Sequence, residues 1–144
     1  MSAEPLRDLY PEVLLAHASS PRNTGELADA TGMAAGHNPT CGDKVRVWVR
    51  VGADGTVEAL RFEASGCALS KASASIMTSA LRGKPVEAVR ASIGEAIEAI
   101  MRGDAAALAA FGEAPCLAGV SKFPGRVKCV TMAWHAAAQA LKPA

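Results

Sequence analysis

Three of the four cysteines in this chain sit where the backbone is set to change direction. Cys41 lies in Asn38-Pro39-Thr40-Cys41-Gly42-Asp43, just ahead of a long alternating run. Cys67 follows Ser65-Gly66 at the predicted start of a helix, and Cys129 follows Arg126-Val127-Lys128 near the predicted start of the last helix. A helix start offers unpaired N–H groups and positive potential, which favour thiolate, the form that binds metal and attacks sulfur. Asp43 stands two residues beyond Cys41, a spacing that puts both side chains on one face of extended backbone. Gly42 between them permits a tight bend and the close approach of a metal or partner. Three thiolates and one carboxylate make a four-ligand set suited to tetrahedral Zn2+. The count also suits an iron–sulfur cluster, although clusters prefer all-sulfur ligation. Four anions around a dication leave net negative charge, which Arg126 and Lys128 are close enough in sequence to offset. Asp is a harder, more exchangeable ligand than Cys, so such a site could release one position, unlike a closed four-cysteine site.

The chain has no Cys-x-x-Cys pair, which disfavours zinc-ribbon, thioredoxin-like and ferredoxin-like frameworks. Any metal site must be assembled from distant parts of the fold. A small apolar cysteine is often simply buried; three at loop–element junctions, two beside Gly and one beside basic residues, point instead to function. Cys116, in Glu113-Ala114-Pro115-Cys116-Leu117, reads as structural. His37 reads as a solvated loop residue rather than a spare ligand, and His17 and His135 as surface or helix-end residues. The Ser/Ala run at 70–75 reads as tight helix packing, because no His base or Gly-x-Ser-x-Gly elbow accompanies it. Lys44, Arg46 and Arg50 form a basic strand face that, with Trp48 alone beside it, reads as solvated rather than nucleic-acid binding.

The elements that must carry these residues follow from periodicity. Leu6, Leu9, Val13 and Leu14 predict a helix over 5–18, with Pro11 near its start or breaking it. Residues 26–43 read as a loop, or a short strand followed by a loop. Val45, Val47, Val49 and Val51 alternate with polar residues, Asp54-Gly55 supplies a turn, and Leu60, Phe62 and Ala64 alternate on the return, predicting an antiparallel pair with one buried face. The period then changes to helical over 67–82, 85–102, a short stretch to 111, and 126–141. Residues 112–125 read mostly as loop, with a helical turn around Ala118. This order predicts an α+β fold, a small antiparallel sheet packed against several helices, as a single domain over 1–144.

Composition agrees. The chain of 144 residues carries 15 Lys and Arg against 14 Asp and Glu, a formal net charge of +1. That balance argues against a broad grip on nucleic acid or an anionic membrane. With 31 Ala and only 6 aromatics, the core should be small side chains in close helix contact. No apolar run approaches the ~18–20 residues of a membrane span, and the N-terminus does not read as a signal peptide. The expectation is a soluble, cytoplasmic protein.

Three segments, Asn38-Pro39-Thr40-Cys41-Gly42-Asp43, Gly66-Cys67-Ala68-Leu69-Ser70-Lys71-Ala72-Ser73-Ala74-Ser75 and Phe123-Pro124-Gly125-Arg126-Val127-Lys128-Cys129, with Leu9-Tyr10 and Ser20-Pro21-Arg22-Asn23 before them, resemble the IscU/NifU N-terminal family of iron–sulfur assembly proteins over nearly the whole chain. The scaffold branch of that family places His immediately before the third cysteine. Here that residue is Lys128, Arg126 lies slightly upstream, and 61 residues separate Cys67 from Cys129, which resembles the SufU branch. The resemblance implies zinc held by Cys41, Asp43, Cys67 and Cys129, and partnership with a SufS-type, PLP-dependent cysteine desulfurase within the iron–sulfur assembly machinery. Cys41 would take the persulfide sulfur in a sulfurtransferase-like role, released from the metal by a ligand such as a His from the partner. Arg126 would pair with Asp43 or with a carboxylate of the partner. The alternatives are a scaffold on which a [2Fe–2S] cluster is built and transferred, or a zinc-stabilised interaction module without transfer chemistry.

Overall fold

The computed structural model describes residues 11–39 and 42–142. Cys41 lies outside the described residues, as does the 5–10 part of the first predicted helix. Strand alternation builds the sheet. β2 (Asp43–Val51) sends Val45, Val47 and Val49 inward while Lys44 and Arg46 face solvent. The chain returns through Asp54-Gly55 as β3 (Val57–Ser65), which places Phe62 opposite Val47 and Leu60 opposite Val49. β1 (Gly32–Asn38) pairs antiparallel along the other edge of β2, giving the order β1-β2-β3.

The buried face of the sheet is roofed by α2 (Ala68–Leu81) against β3 and by α5 (Pro124–Ala140) against β1 and β2. α1 (Pro11–Ser19) packs on α2, and α3 (Val86–Arg102) packs on α5 through an apolar stripe that includes Val89, Ile93 and Ile100. α3 ends at Gly103, whose φ of 72° allows its N–H to reach the carbonyls of Ala99 and Ile100, a left-handed C-cap. A short α4 (Ala105–Leu108) leads to a 3-10 segment, Ala114–Lys122. The predicted α+β fold is therefore the observed one.

Several details differ from the expectation. The residues 26–43, read as loop or short strand, contain a full seven-residue strand that pairs in register down to Asn38 opposite Asp43. It lacks β-branched residues because α5 presses on it. A Cβ at Gly32 would lie 2.0 Å from the Ala140 carbonyl oxygen, and one at Gly36 would lie 2.8 Å from Met132 Cγ. Packing against the helix here overrides strand propensity. Residues 112–125, read mostly as loop with a helical turn around Ala118, hold a longer 3-10 segment around that residue, which buries Cys116, Leu117 and Val120. Trp48, read as part of a solvated face, is only 6% exposed, between Met33 and Arg61 on the neighbouring strands. On that face Arg50 pairs with Asp29 at 2.9 Å and Glu58 at 3.1 Å, and its hydrogen bond holds the Asp29 carboxyl below the usual carboxylate range. His17, read as a surface or helix-end residue, is in the last turn of α1 yet 2% exposed, bonded to Ser75 Oγ at 2.7 Å and Glu113 Oε1 at 2.6 Å.

α2 and α5 are bolted together by a polar contact. Ser73 Oγ donates to the Val130 carbonyl at 2.6 Å and accepts from Trp134 Nε1 at 3.0 Å, with Ser73 and Trp134 both fully buried. Removing the hydroxyl strands the indole N–H in an apolar interior. Ser73→Ala is expected to lower stability by about 1–3 kcal/mol, read as a shifted urea midpoint at unchanged slope.

Candidate metal centre

The two helix starts meet the end of the hairpin at one pole. Asp43 opens β2 and is fully buried. Cys67 is the residue that begins α2, in extended backbone at φ −77° and ψ 160°. Cys129 is the sixth residue of α5 and 1% exposed. One ligand atom from each of Asp43, Cys67 and Cys129 lies within 4.8 Å of the other two. Atoms bound tetrahedrally at about 2.0–2.3 Å to one ion sit roughly 3.3–3.8 Å apart, so a small contraction brings all three onto a common centre. Two sulfurs and a carboxylate suit a borderline-soft dication such as zinc. Cys41, the fourth expected ligand, lies outside the described residues.

The carboxylate is held on both oxygens. Cys67 N–H donates to Asp43 Oδ1 at 2.8 Å; Ser70 Oγ donates to Oδ2 at 2.8 Å, and the Cys67 thiol lies 3.2 Å from the same oxygen. Such bonds are what make a buried carboxylate tolerable. Gly66 makes the approach possible. Its φ is +122°, and a Cβ there would fall 1.9 Å from Asp43 Oδ1 and 2.9 Å from the Asp43 Cα. On the other side Asn38 Nδ2 donates to Cys129 Sγ at 3.7 Å, a bond that steadies a sulfur carrying negative charge. Gly42, with φ +73°, donates its N–H to the Asn38 carbonyl at 2.8 Å and so closes the end of the β1–β2 hairpin.

Cys67 stands at a helix N-terminus as expected from sequence, and Cys129 does not. α5 begins at Pro124, so the Cys129 N–H lies past the first four unpaired amides. Arg126 and Lys128 are exposed on α5. His37 is exposed on β1 rather than in a loop, and with Asn38, Pro39, Lys128, Met132 and His135 it lines a groove of about 450 Å³ between β1 and α5. Sequence reasoning missed Ser70 and the roles of Asn38 and Gly66. The available signal for Ser70 was its spacing: three residues after Cys67, it returns to the same side of the helix one turn on. Cys116 takes no part. It is 1% exposed in the core, and burial, reinforced by the Glu113 charge, pushes its thiol up to about 12.

Two outcomes follow from this geometry. Gly66→Ala is expected to displace Asp43 and abolish stoichiometric binding of a metal ion, measured by equilibrium dialysis against zinc. Cys116 is expected to stay a thiol at neutral pH and resist alkylation in the native protein, while denatured protein is modified there, as peptide mass mapping will show. Because its folded pKa is raised, the stability it contributes is complete below about pH 8.5, the ordinary cysteine value, and is lost as pH climbs toward 12.

Comparison with known proteins identifies the family. The model of the NifU-like N-terminal domain matches residues 9–142. The chain is 41% identical over 135 residues to the zinc-dependent sulfurtransferase SufU of Bacillus subtilis, covering 91% of this chain and 88% of that protein. It is 38% identical over 142 residues to the iron–sulfur cluster assembly scaffold protein IscU of Streptococcus pyogenes, covering 99% and 88%. A candidate iron–sulfur cluster assembly scaffold protein for the SUF system from Fervidobacterium islandicum superposes with a TM-score of 0.82 at 26% identity, over 93% of this chain and 97% of that one. The chain belongs to the NifU-like N-terminal domain family, in its IscU/SufU group of iron–sulfur cluster assembly proteins.

Proposed function

We propose that this chain is a zinc-dependent sulfur acceptor of the SufU type. It takes sulfur from the persulfide of a SufS-type, PLP-dependent cysteine desulfurase and delivers it to iron–sulfur cluster assembly. Cys41 accepts the sulfur, and Cys41, Asp43, Cys67 and Cys129 hold the metal. The observation that carries this reading is the approach of Asp43, Cys67 and Cys129 to one centre. Two residues of chain, at most about 7 Å of backbone, tie Cys41 to Asp43. A carboxylate in the donor set suits zinc better than an all-sulfur cluster, and Lys128 stands where the scaffold branch carries His. On this reading the 144 residues act as one domain, in the cytoplasm; among the described residues no helix is long and apolar enough to cross a membrane.

Bound zinc keeps the coordinating thiols ionised and does no redox chemistry itself. The transfer belongs to the chain. Cys41 thiolate attacks the outer sulfur of the partner's persulfide; the new S–S bond forms as the old one breaks, and the partner's cysteine leaves as thiolate. The thiolate's electron pair makes the new bond and the pair of the broken bond leaves on the partner's cysteine, so no outside oxidant or reductant is needed. Cys129, buried and bonded by Asn38, is poorly placed to compete. Arg126 and Lys128 present positive charge to the anionic persulfide or to a carboxylate of the partner.

The second reading, a [2Fe–2S] scaffold, is favoured by the IscU relative that matches nearly the full chain. Metal analysis with absorption spectra separates the two. Stoichiometric zinc without a visible chromophore is expected, whereas a brown protein reconstituted at low iron and sulfide would establish the scaffold. Incubated with desulfurase and cysteine, the wild type is expected to gain one sulfur on Cys41 and Cys41→Ser none. A Cys41→Ser protein that accepts sulfur at the wild-type rate overturns the proposal.

A further inference from the structure

Of the polar side chains around the centre, Ser70 is placed against all three described ligand residues at once. Its Oγ lies 2.8 Å from Asp43 Oδ2, 3.2 Å from the Cys129 carbonyl oxygen and 3.6 Å from Cys67 Sγ. It is 2% exposed, so water does not replace it. The hydroxyl has one proton and two oxygen acceptors, and the closer acceptor is the carboxylate. Cys67 N–H already holds the other carboxylate oxygen at 2.8 Å. The Cys67 thiol, 3.2 Å from Oδ2, can donate there only while it keeps its proton, so Ser70 supplies a donor to that oxygen which ligation of Cys67 does not remove. From these contacts we infer that Ser70 is a positioning residue for the metal centre, locking Asp43 in its liganding orientation.

The inference rests on the metal reading above and makes Asp43 the residue through which Ser70 acts. Polar groups that orient a ligand typically change metal affinity 10–100-fold when removed. Alanine is a better helix former than serine, so Ser70→Ala should keep the fold. Zinc affinity, measured by competition with a chromophoric chelator, is expected to fall 10–100-fold in Ser70→Ala and to return to within about threefold of wild type in Ser70→Thr. The visible bands of the cobalt-substituted protein, which report the ligand geometry, should shift in Ser70→Ala and revert in Ser70→Thr.

Coupling to Asp43 separates positioning from general structural support. In an Asp43→Ala background, adding Ser70→Ala should weaken zinc binding no further, whereas a merely structural serine would impose its full loss again. An equal loss in both backgrounds overturns the inference, as does unchanged affinity of Ser70→Ala. Should the alanine variant lose its fold, Ser70→Thr and Ser70→Val, equal in shape, decide by the same affinity criterion. A wild-type protein that binds no zinc would instead defeat the metal reading itself, an outcome distinct from either.

Discussion

The structure turns on a carboxylate buried at a junction. Asp43 has no exposed surface, and an ionised carboxylate in such a place is tolerable only if hydrogen bonds or a cation compensate the lost water. The amide of Cys67 and the hydroxyl of Ser70 both answer that demand, and both come from the start of α2. The requirement to satisfy one side chain on the sheet therefore fixes where a helix begins. It also explains why Gly66 has no side chain, since a Cβ there would occupy the space the carboxylate needs.

The same logic extends to the second helix. Ser70 reaches the Cys129 carbonyl and Ser73 the Val130 carbonyl, so two hydroxyls one turn apart fasten α2 to α5. These contacts bring Cys67 and Cys129, 62 positions apart in the chain, to a shared centre. The serine-rich face of α2 is thus both packing surface and hydrogen-bonding edge. Small residues let the helices come close, and their hydroxyls then satisfy carbonyls and the Trp134 indole that such closeness would otherwise isolate.

Much of this was legible in the amino-acid order, for physical reasons. The valine alternation of β2 and the apolar stripe of α3 are periodic and strong, so both elements could be read directly. Asp43, Cys67 and Cys129 were readable because thiols and carboxylates at element boundaries are chemically distinctive. Ser70 was not, because a serine among serines and alanines looks like filler until its neighbours across the fold are known. β1 could be read only as one of two alternatives, loop or short strand, for a related reason: Gly-Met-Ala-Ala-Gly-His-Asn carries little strand signal of its own and is extended because β2 and α5 hold it so. The 3-10 segment was legible only as a helical turn around Ala118, its full extent masked by Gly and Pro, and the burial of His17 depends on Ser75 and Glu113, 58 and 96 residues away.

The glycines of β1 also have a consequence for pairing. Gly32, Ala34, Gly36 and Asn38 alternate toward α5, whereas Met33, Ala35 and His37 point away. A slip of one residue exchanges the two sets. A slip that carries Met33 and His37 into the places of Gly32 and Gly36 would drive a thioether and an imidazole into space where not even a methyl group fits beneath the helix. Absent side chains thus act as a steric ratchet, blocking the slide of the edge strand in that direction and so helping to keep Asn38 across from Asp43.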